Sequence, residues 1–201
     1  MRKVQDYYFH KAKKERYPAR SVYKLDEVQT RYRLLSTGAR VLDLGCQPGS
    51  WSLFAARTVG RSGQVVGVDR ESGRPPDPGP EAAPVEALTC DVFDPDLVPR
   101  LAERCPQFDV ILSDLGPRTT GRKDVDHFQS VRLASRALEV AAALLRPGGS
   151  LYCKVFQGED LDSFVAAVRT RFTQVRIVKP KASRSESREV FVLGTGFVKE
   201  D

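Results

Sequence analysis

Histidine is nearly absent from this chain, and cysteine is scarce. His10 and His127 are the only imidazoles, and Cys46, Cys90, Cys105 and Cys153 lie scattered with no CxxC pair. A zinc site needs clustered thiolates or imidazoles and a disulfide framework needs paired spacing, so neither is indicated and no metal is expected. Long apolar runs are missing too. Nothing approaches the roughly 20 residues of a membrane span, and no apolar signal-peptide core follows the charged N-terminus. These absences predict a soluble, cytoplasmic protein with no membrane partner. The length of 201 residues suits a single domain spanning 1–201, expected to be a monomer.

Acidic charge is short mainly in one place. Residues 1 to 40 hold eleven Lys or Arg against four Asp or Glu, a surplus of +7, while the whole chain carries +6. The basic character therefore belongs to the N-terminus. There, Tyr7, Tyr8, Phe9, Tyr17, Tyr23 and Tyr32 are interleaved with Lys11, Lys13, Lys14, Arg16 and Arg20, a mixture suited to phosphate contacts and base stacking. It predicts a basic helical extension over residues 1–37 that binds RNA or DNA. A solvated amphipathic helix would explain the same residues.

What is present is organised around Val41 to Trp51, VLDLGCQPGSW. A short apolar run broken by Asp43 opens into a loop with Gly45, Pro48 and Gly49, and a helix start follows at Ser50. This reads as strand, tight loop and helix, the opening of a nucleotide-binding α/β unit. Yet the third glycine of GxGxxG is missing, and Pro48 removes an amide that could have held a pyrophosphate. The loop suits a ligand without phosphate better than NAD, and S-adenosylmethionine is the candidate cofactor.

Along the chain, the pattern predicts a basic helix from 3 to 16 and a second helix from Ser21, capped by that serine, with Val22, Leu25, Val28 and Leu35 on one face. A helix Ser50 to Val59 leads to an apolar run, Gln64 to Val68, closed by Asp69, where a doubly wound fold holds a ribose. Residues 71 to 84, ESGRPPDPGPEAAP, hold five prolines and two glycines and read as a surface loop. Val85 to Thr89 then runs into Asp91. After a helix Pro95 to Glu103, the buried strand FDVILS ends at Asp114. A polar loop, TTGRKDVD, precedes a long helix with Phe128, Val131, Leu138, Ala142 and Leu145 on one face, terminated by Pro147-Gly148-Gly149. The strand SLYCKVF carries Lys154, an amine costly inside a buried strand unless paired or used. A helix Leu161 to Phe172, a strand Gln174 to Lys179, a basic Ser-rich turn and a last strand Glu189 to Leu193 complete the chain. The alternation predicts one open α/β sheet with helices on both faces, its last strand antiparallel after a short connection. That topology brings Asp114, Lys154 and Glu189 to one edge of the sheet, but it leaves Lys24 unplaced.

The segments RSVYKLDEVQ, DLGCQPGSW, SDLGP, LRPGGSLYCKVFQGE and KPKASRSESREVFVLG resemble the FtsJ/RrmJ family of ribosomal RNA 2′-O-methyltransferases, from about Tyr7 to Gly196. The resemblance implies a Rossmann-like, seven-stranded class I methyltransferase sheet. It implies a catalytic tetrad at Lys24, Asp114, Lys154 and Glu189, and S-adenosylmethionine contacts at Gly45, Pro48, Gly49, Trp51, Asp69, Asp91 and Asp114. It further implies a ribose 2′-hydroxyl as acceptor, at a uridine of large-subunit ribosomal RNA; the basic N-terminal segment is then expected to put Lys11, Lys13, Lys14, Arg16 and Arg20 on the RNA. The family's usual GAAPGGW stands here as GCQPGSW and its SDMAP as SDLGP, changes at small-residue positions that should keep the backbone path.

Two other classes fit parts of the chain. A nicotinamide dehydrogenase would use Asp69 but lacks the phosphate-binding glycines. A non-catalytic RNA-binding or ribosome-assembly protein would use the basic N-terminus but leaves the tetrad and the cofactor loop unexplained.

Overall fold

Strands form where apolar residues run unbroken, and helices form where they recur at three and four. The computed structural model describes residues 2–184 and 186–199, residues 2–6 by backbone alone. Ser185 of the Ser-rich turn and both ends of the expected domain lie outside the described residues. Two helices, α1 (Arg2–Lys14) and α2 (Val22–Tyr32), precede the sheet. They are followed by β1 (Arg40–Leu44), α3 (Ser50–Val59), β2 (Gln64–Asp69), β3 (Val85–Thr89), α4 (Leu97–Arg104) and β4 (Phe108–Ser113). Next come α5 (Lys123–Leu144), β5 (Leu145–Phe156), α6 (Leu161–Arg169), β6 (Phe172–Val178) and β7 (Glu189–Phe197).

The seven strands form one sheet in the order β3-β2-β1-β4-β5-β7-β6. Strands β1 to β5 pair in parallel, and β7 runs antiparallel to both β5 and β6. Period-2 alternation divides the core into two layers. Leu42, Leu44, Ile111, Leu151, Cys153 and Val192 face one side with buried residues of α4, α5 and α6, while Val41, Val65, Leu112, Tyr152 and Phe191 face the other with those of α2 and α3. No helix among the described residues is long and apolar enough to cross a membrane.

Several local expectations are corrected. The helix α5 starts at Lys123, so the KDVD half of the polar loop is its first turn, where Asp124 and Asp126 complement the helix dipole. Its buried face includes Ser130, Ala134, Ala137, Leu138 and Ala141, with Val131 and Ala142 packed against the same core; only Phe128 of the expected face lies outside it, 65% exposed. Pro147-Gly148-Gly149 sits inside β5 at a register shift rather than between helix and strand. Phe172 belongs to β6, not α6, because its ring is needed in the core against Phe197. Ser21 makes no side-chain cap bond; its carbonyl instead accepts a hydrogen bond from the Trp51 indole N–H at 2.8 Å.

Candidate active site

The parallel strands end along one edge, and a cavity of about 520 Å³ opens there, within the size range of small-molecule sites. Its lining includes Gly45, Gln47, Asp69, Asp91, Phe93 and Asp114. Gly45 has φ +80°, and a Cβ there would come 3.1 Å from the backbone nitrogen of Leu115, so the loop after β1 can lie close to the loop after β4 only as glycine. Asp69 accepts backbone N–H groups from Gln47 and Glu71, each at 3.0 Å. Its carboxylate thus ties the end of β2 to the loop after β1. Asp91 accepts from the Phe93 N–H at 2.9 Å, and the Arg132 guanidinium lies 4.4 Å above the Phe93 ring at the cavity mouth.

Beside this cavity, four side chains form a row of alternating charge. Lys154 Nζ is 3.0 Å from Asp114 Oδ1 and donates to the Asp114 carbonyl at 2.6 Å. Lys24 Nζ lies 3.9 Å from the same Oδ1 and 2.8 Å from Glu189 Oε1. All four side chains are at least four-fifths buried. The cross-strand pairs Lys154↔Phe191 and Phe156↔Glu189 explain how β5 and β7 bring their members together. Lys24 comes from α2, which hangs on two bonds to its first turn: Trp51 Nε1 to the Ser21 carbonyl and the Tyr152 hydroxyl to the Lys24 carbonyl at 3.3 Å.

The structure gathers Gly45, Asp69, Asp91 and Asp114 around the cavity but not Pro48, Gly49 or Trp51. The Trp51 indole is 3% exposed and stacked on Tyr152, with its ring centroid 5.6 Å away, so it acts as a core support for α2. Gly49 is turned toward Pro76 of the proline-rich segment. Tyr152 and Phe191 complete this aromatic stack, and sequence reading missed both. Their signal lies in the alternation, since each is two positions from Lys154 or Glu189 on the same strand face.

Asp43, beneath the loop, is fully buried; burial pushes its carboxyl up to about 7, opposed by the hydrogen bond from Ser52 and assisted by Asp114 and Asp69. Among the basic residues, Lys13, Lys14 and Arg16 are exposed. Lys11 instead lies 4.3 Å over the Tyr23 ring and 3.9 Å from Glu15. Arg20 lines a second cavity of about 250 Å³ with Ser21, Lys24, Arg184, Ser187 and Glu189. No three His, Cys, Asp or Glu side chains among the described residues gather as a metal site would require.

Comparison with known proteins points the same way. A family model described as FtsJ-like methyltransferase matches residues 17–197. The chain is similar to the ribosomal RNA large subunit methyltransferase E of Desulfotalea psychrophila, with 46% identity over 203 residues covering 99% of this chain and 98% of that one. It is 48% identical over 191 residues to the protein of that name from Syntrophobacter fumaroxidans, 95% of each being covered. A solved Plasmodium falciparum chain described as a ribosomal RNA methyltransferase superposes with a TM-score of 0.78 at 23% identity, covering 92% of this chain and 100% of that one, a likeness of fold.

Proposed function

The chain belongs to the FtsJ-like methyltransferase family, which uses S-adenosylmethionine as methyl donor, and from that premise we propose that it methylates a ribose 2′-hydroxyl of large-subunit ribosomal RNA. The observation that carries this reading is the row Lys154, Asp114, Lys24, Glu189 at the edge of the cavity. The protein then acts as a cytoplasmic monomer whose substrate is ribosomal RNA. The relatives named above are large-subunit ribosomal RNA methyltransferases, and this substrate is carried over from them.

The residues lining the cavity fit the cofactor. Asp69 and Asp91 end successive strands beside Gly45 and suit ribose hydroxyls and an adenine amino group, and the site lacks the run of loop amides that a pyrophosphate would need. When bound, S-adenosylmethionine supplies a methyl carbon on a sulfonium sulfur, for the ribose oxygen to take as the C–S bond breaks. The protein's part is alignment and proton removal. Fixing both partners can supply about 7 to 11 kcal/mol, and a general base adds about 10² to 10⁴-fold.

Lys154 is the base in this reading. Its Nζ is held by one hydrogen bond to the Asp114 carbonyl and lies 3.0 Å from Asp114 Oδ1; acting as base, it takes the hydroxyl proton and passes it to water. Asp114 and Glu189 hold the two lysine amines in place, and Lys24 adds positive charge beside the acceptor. Exposed Lys13, Lys14 and Arg16, with Arg20 at the second cavity, suit the RNA backbone.

Mapping 2′-O-methyl groups in ribosomal RNA with and without the protein tests the substrate; RNA binding with no new methyl group would leave an assembly factor. Lys154→Met keeps much of the stem but no proton acceptor. It should retain cofactor affinity while transfer falls by about 10² or more. Lys154→Arg should fail as well, since a guanidinium stays protonated. Near-normal turnover of the Arg variant across pH 7 to 9 would make Lys154 a positioning cation instead.

A further inference from the structure

The proline-rich segment between β2 and β3 has no part in the reading above, yet it touches the cofactor loop at two points. A Cβ on Gly73 would fall 2.4 Å from Gln47 Nε2 and 2.7 Å from its Oε1, so the Gln47 amide lies against the bare backbone of Gly73. A Cβ on Gly49 would fall 2.5 Å from Pro76 Cδ, and Gly49 has φ +98°. The segment is pinned at both ends. At its start, one carboxylate, Asp69, receives both the Glu71 N–H and the Gln47 N–H. At its far end, Arg61 Nε donates to the Pro80 carbonyl at 2.7 Å, and the Ala83 N–H donates to the Ala56 carbonyl of α3 at 3.0 Å.

Pro75, Pro76 and Pro78 between these anchors restrict the chain that spans them. A free surface excursion would need no such anchors, nor would it press its backbone against the Gln47 amide. We propose that residues 71–84 are a fixed wall behind the cofactor loop, with only Glu71 reaching the cavity lining, and that Gly73 and Pro76 are positioning residues holding the Gln47–Gly49 turn in its ligand-accepting shape. This explains why Gly49 belongs to the cofactor loop without lining the cavity: it faces Pro76 of the wall, while Gly45 and Gln47 line the cavity. A turn already held in place gives up little freedom on binding, so the wall acts on cofactor affinity and not on the reacting atoms.

The inference rests on the proposed cofactor, and the test separates the two. Titration calorimetry of the full chain with S-adenosylmethionine and with S-adenosylhomocysteine is compared for wild type, Pro76→Gly and Gly73→Ala. Pro76→Gly should weaken both ligands by about tenfold and raise the KM for the cofactor while kcat at saturation holds, as expected when only pre-organisation is lost. Gly73→Ala should weaken binding too, but add no further loss in a Gln47→Ala background, because the crowded amide is gone. If wild type binds and both variants bind within twofold of it, the wall has no positioning role. A parallel fall in affinity, kcat and melting temperature would equally overturn it, as general loosening. If wild type takes up neither ligand, the cofactor reading fails instead.

Discussion

Asp43 sits at 0% exposure under the cofactor loop, with Oδ2 accepting from Ser52 Oγ at 2.6 Å and Oδ1 facing no donor. A carboxyl held at about 7 when folded, against 3.8 in the open chain, prefers its proton in the folded state. Its stabilising share is therefore complete below about pH 4 and lost as pH rises through 7, amounting to about 4 kcal/mol by linkage. Asp109 and Asp126 act in the opposite sense. Burial pushes Asp109 up but is outweighed by hydrogen bonds from the Arg40 backbone and the Arg146 side chain, and the Thr120 backbone N–H lowers Asp126, so their contributions are lost on acidification. Comparing wild type with Asp43→Asn isolates the one group. The variant should melt higher at pH 8 and converge with wild type toward pH 4, and parallel melting curves at both pH values would refute the assignment. Gly116 lies beside the proposed base, for a Cβ there would lie 2.9 Å from Lys154 Nζ. The family pattern carries alanine at this position, and the atom that would have to yield is the mobile end of a lysine, so the exchange adjusts the amine and leaves the backbone path alone.

Helix α2 has no register with the sheet, which is why topology leaves Lys24 unplaced while it places Asp114, Lys154 and Glu189. Strand ends are fixed by parallel pairing and can be read from apolar runs. A helix lying across a sheet is fixed by side-chain bonds that no period encodes. Here those bonds are Trp51 to the Ser21 carbonyl and Tyr152 to the Lys24 carbonyl, backed by the stack Trp51, Tyr152 and Phe191. The tightest stacked pair is Tyr152–Phe191, with centroids 4.7 Å apart. Trp51, expected at the cofactor, does not line the cavity; its buried indole lies between α3 and α2 and bonds the turn that carries Lys24. Trp51→Phe keeps an aromatic ring but removes the N–H. It should lower kcat by about tenfold through a displaced Lys24 while cofactor affinity stays near wild type, the pattern expected of a lost alignment. Weakened cofactor binding with unchanged kcat would return Trp51 to the cofactor site. The start of the long helix α5 is hidden from sequence for a related reason. Its acidic first turn reads as loop until Asp126 is seen accepting from the Thr120 N–H and hydroxyl, which folds the preceding loop back onto the helix start.

Over the whole molecule, the basic surplus of the first 40 residues is held against the active-site edge by a small cluster of its own. Ala12 of α1 is buried with Val22, Tyr23 and Ala182, the last from the segment that leads into β7 and Glu189. The arm is thus docked on both chain segments that deliver Lys24 and Glu189 to the proposed tetrad. Among the described residues, its cations divide into two kinds. Lys11 is engaged with Tyr23 and Glu15, and the Tyr23 hydroxyl donates to Glu15 at 2.8 Å, so Lys11 serves the docking of α1. Lys13, Lys14 and Arg16 point to solvent and are free to neutralise phosphates. Replacing these three by Gln should leave α1 packed and cofactor affinity unchanged, while the slope of log K for RNA against log salt falls by about 2 to 3, roughly 0.7 to 0.9 for each phosphate that is no longer neutralised. Lys11→Gln should barely alter that slope and should instead lower the melting temperature. If the triple variant kept the wild-type slope, α1 would be a solvated face, and the phosphate contacts would have to come from Arg20 and Arg184 at the second cavity.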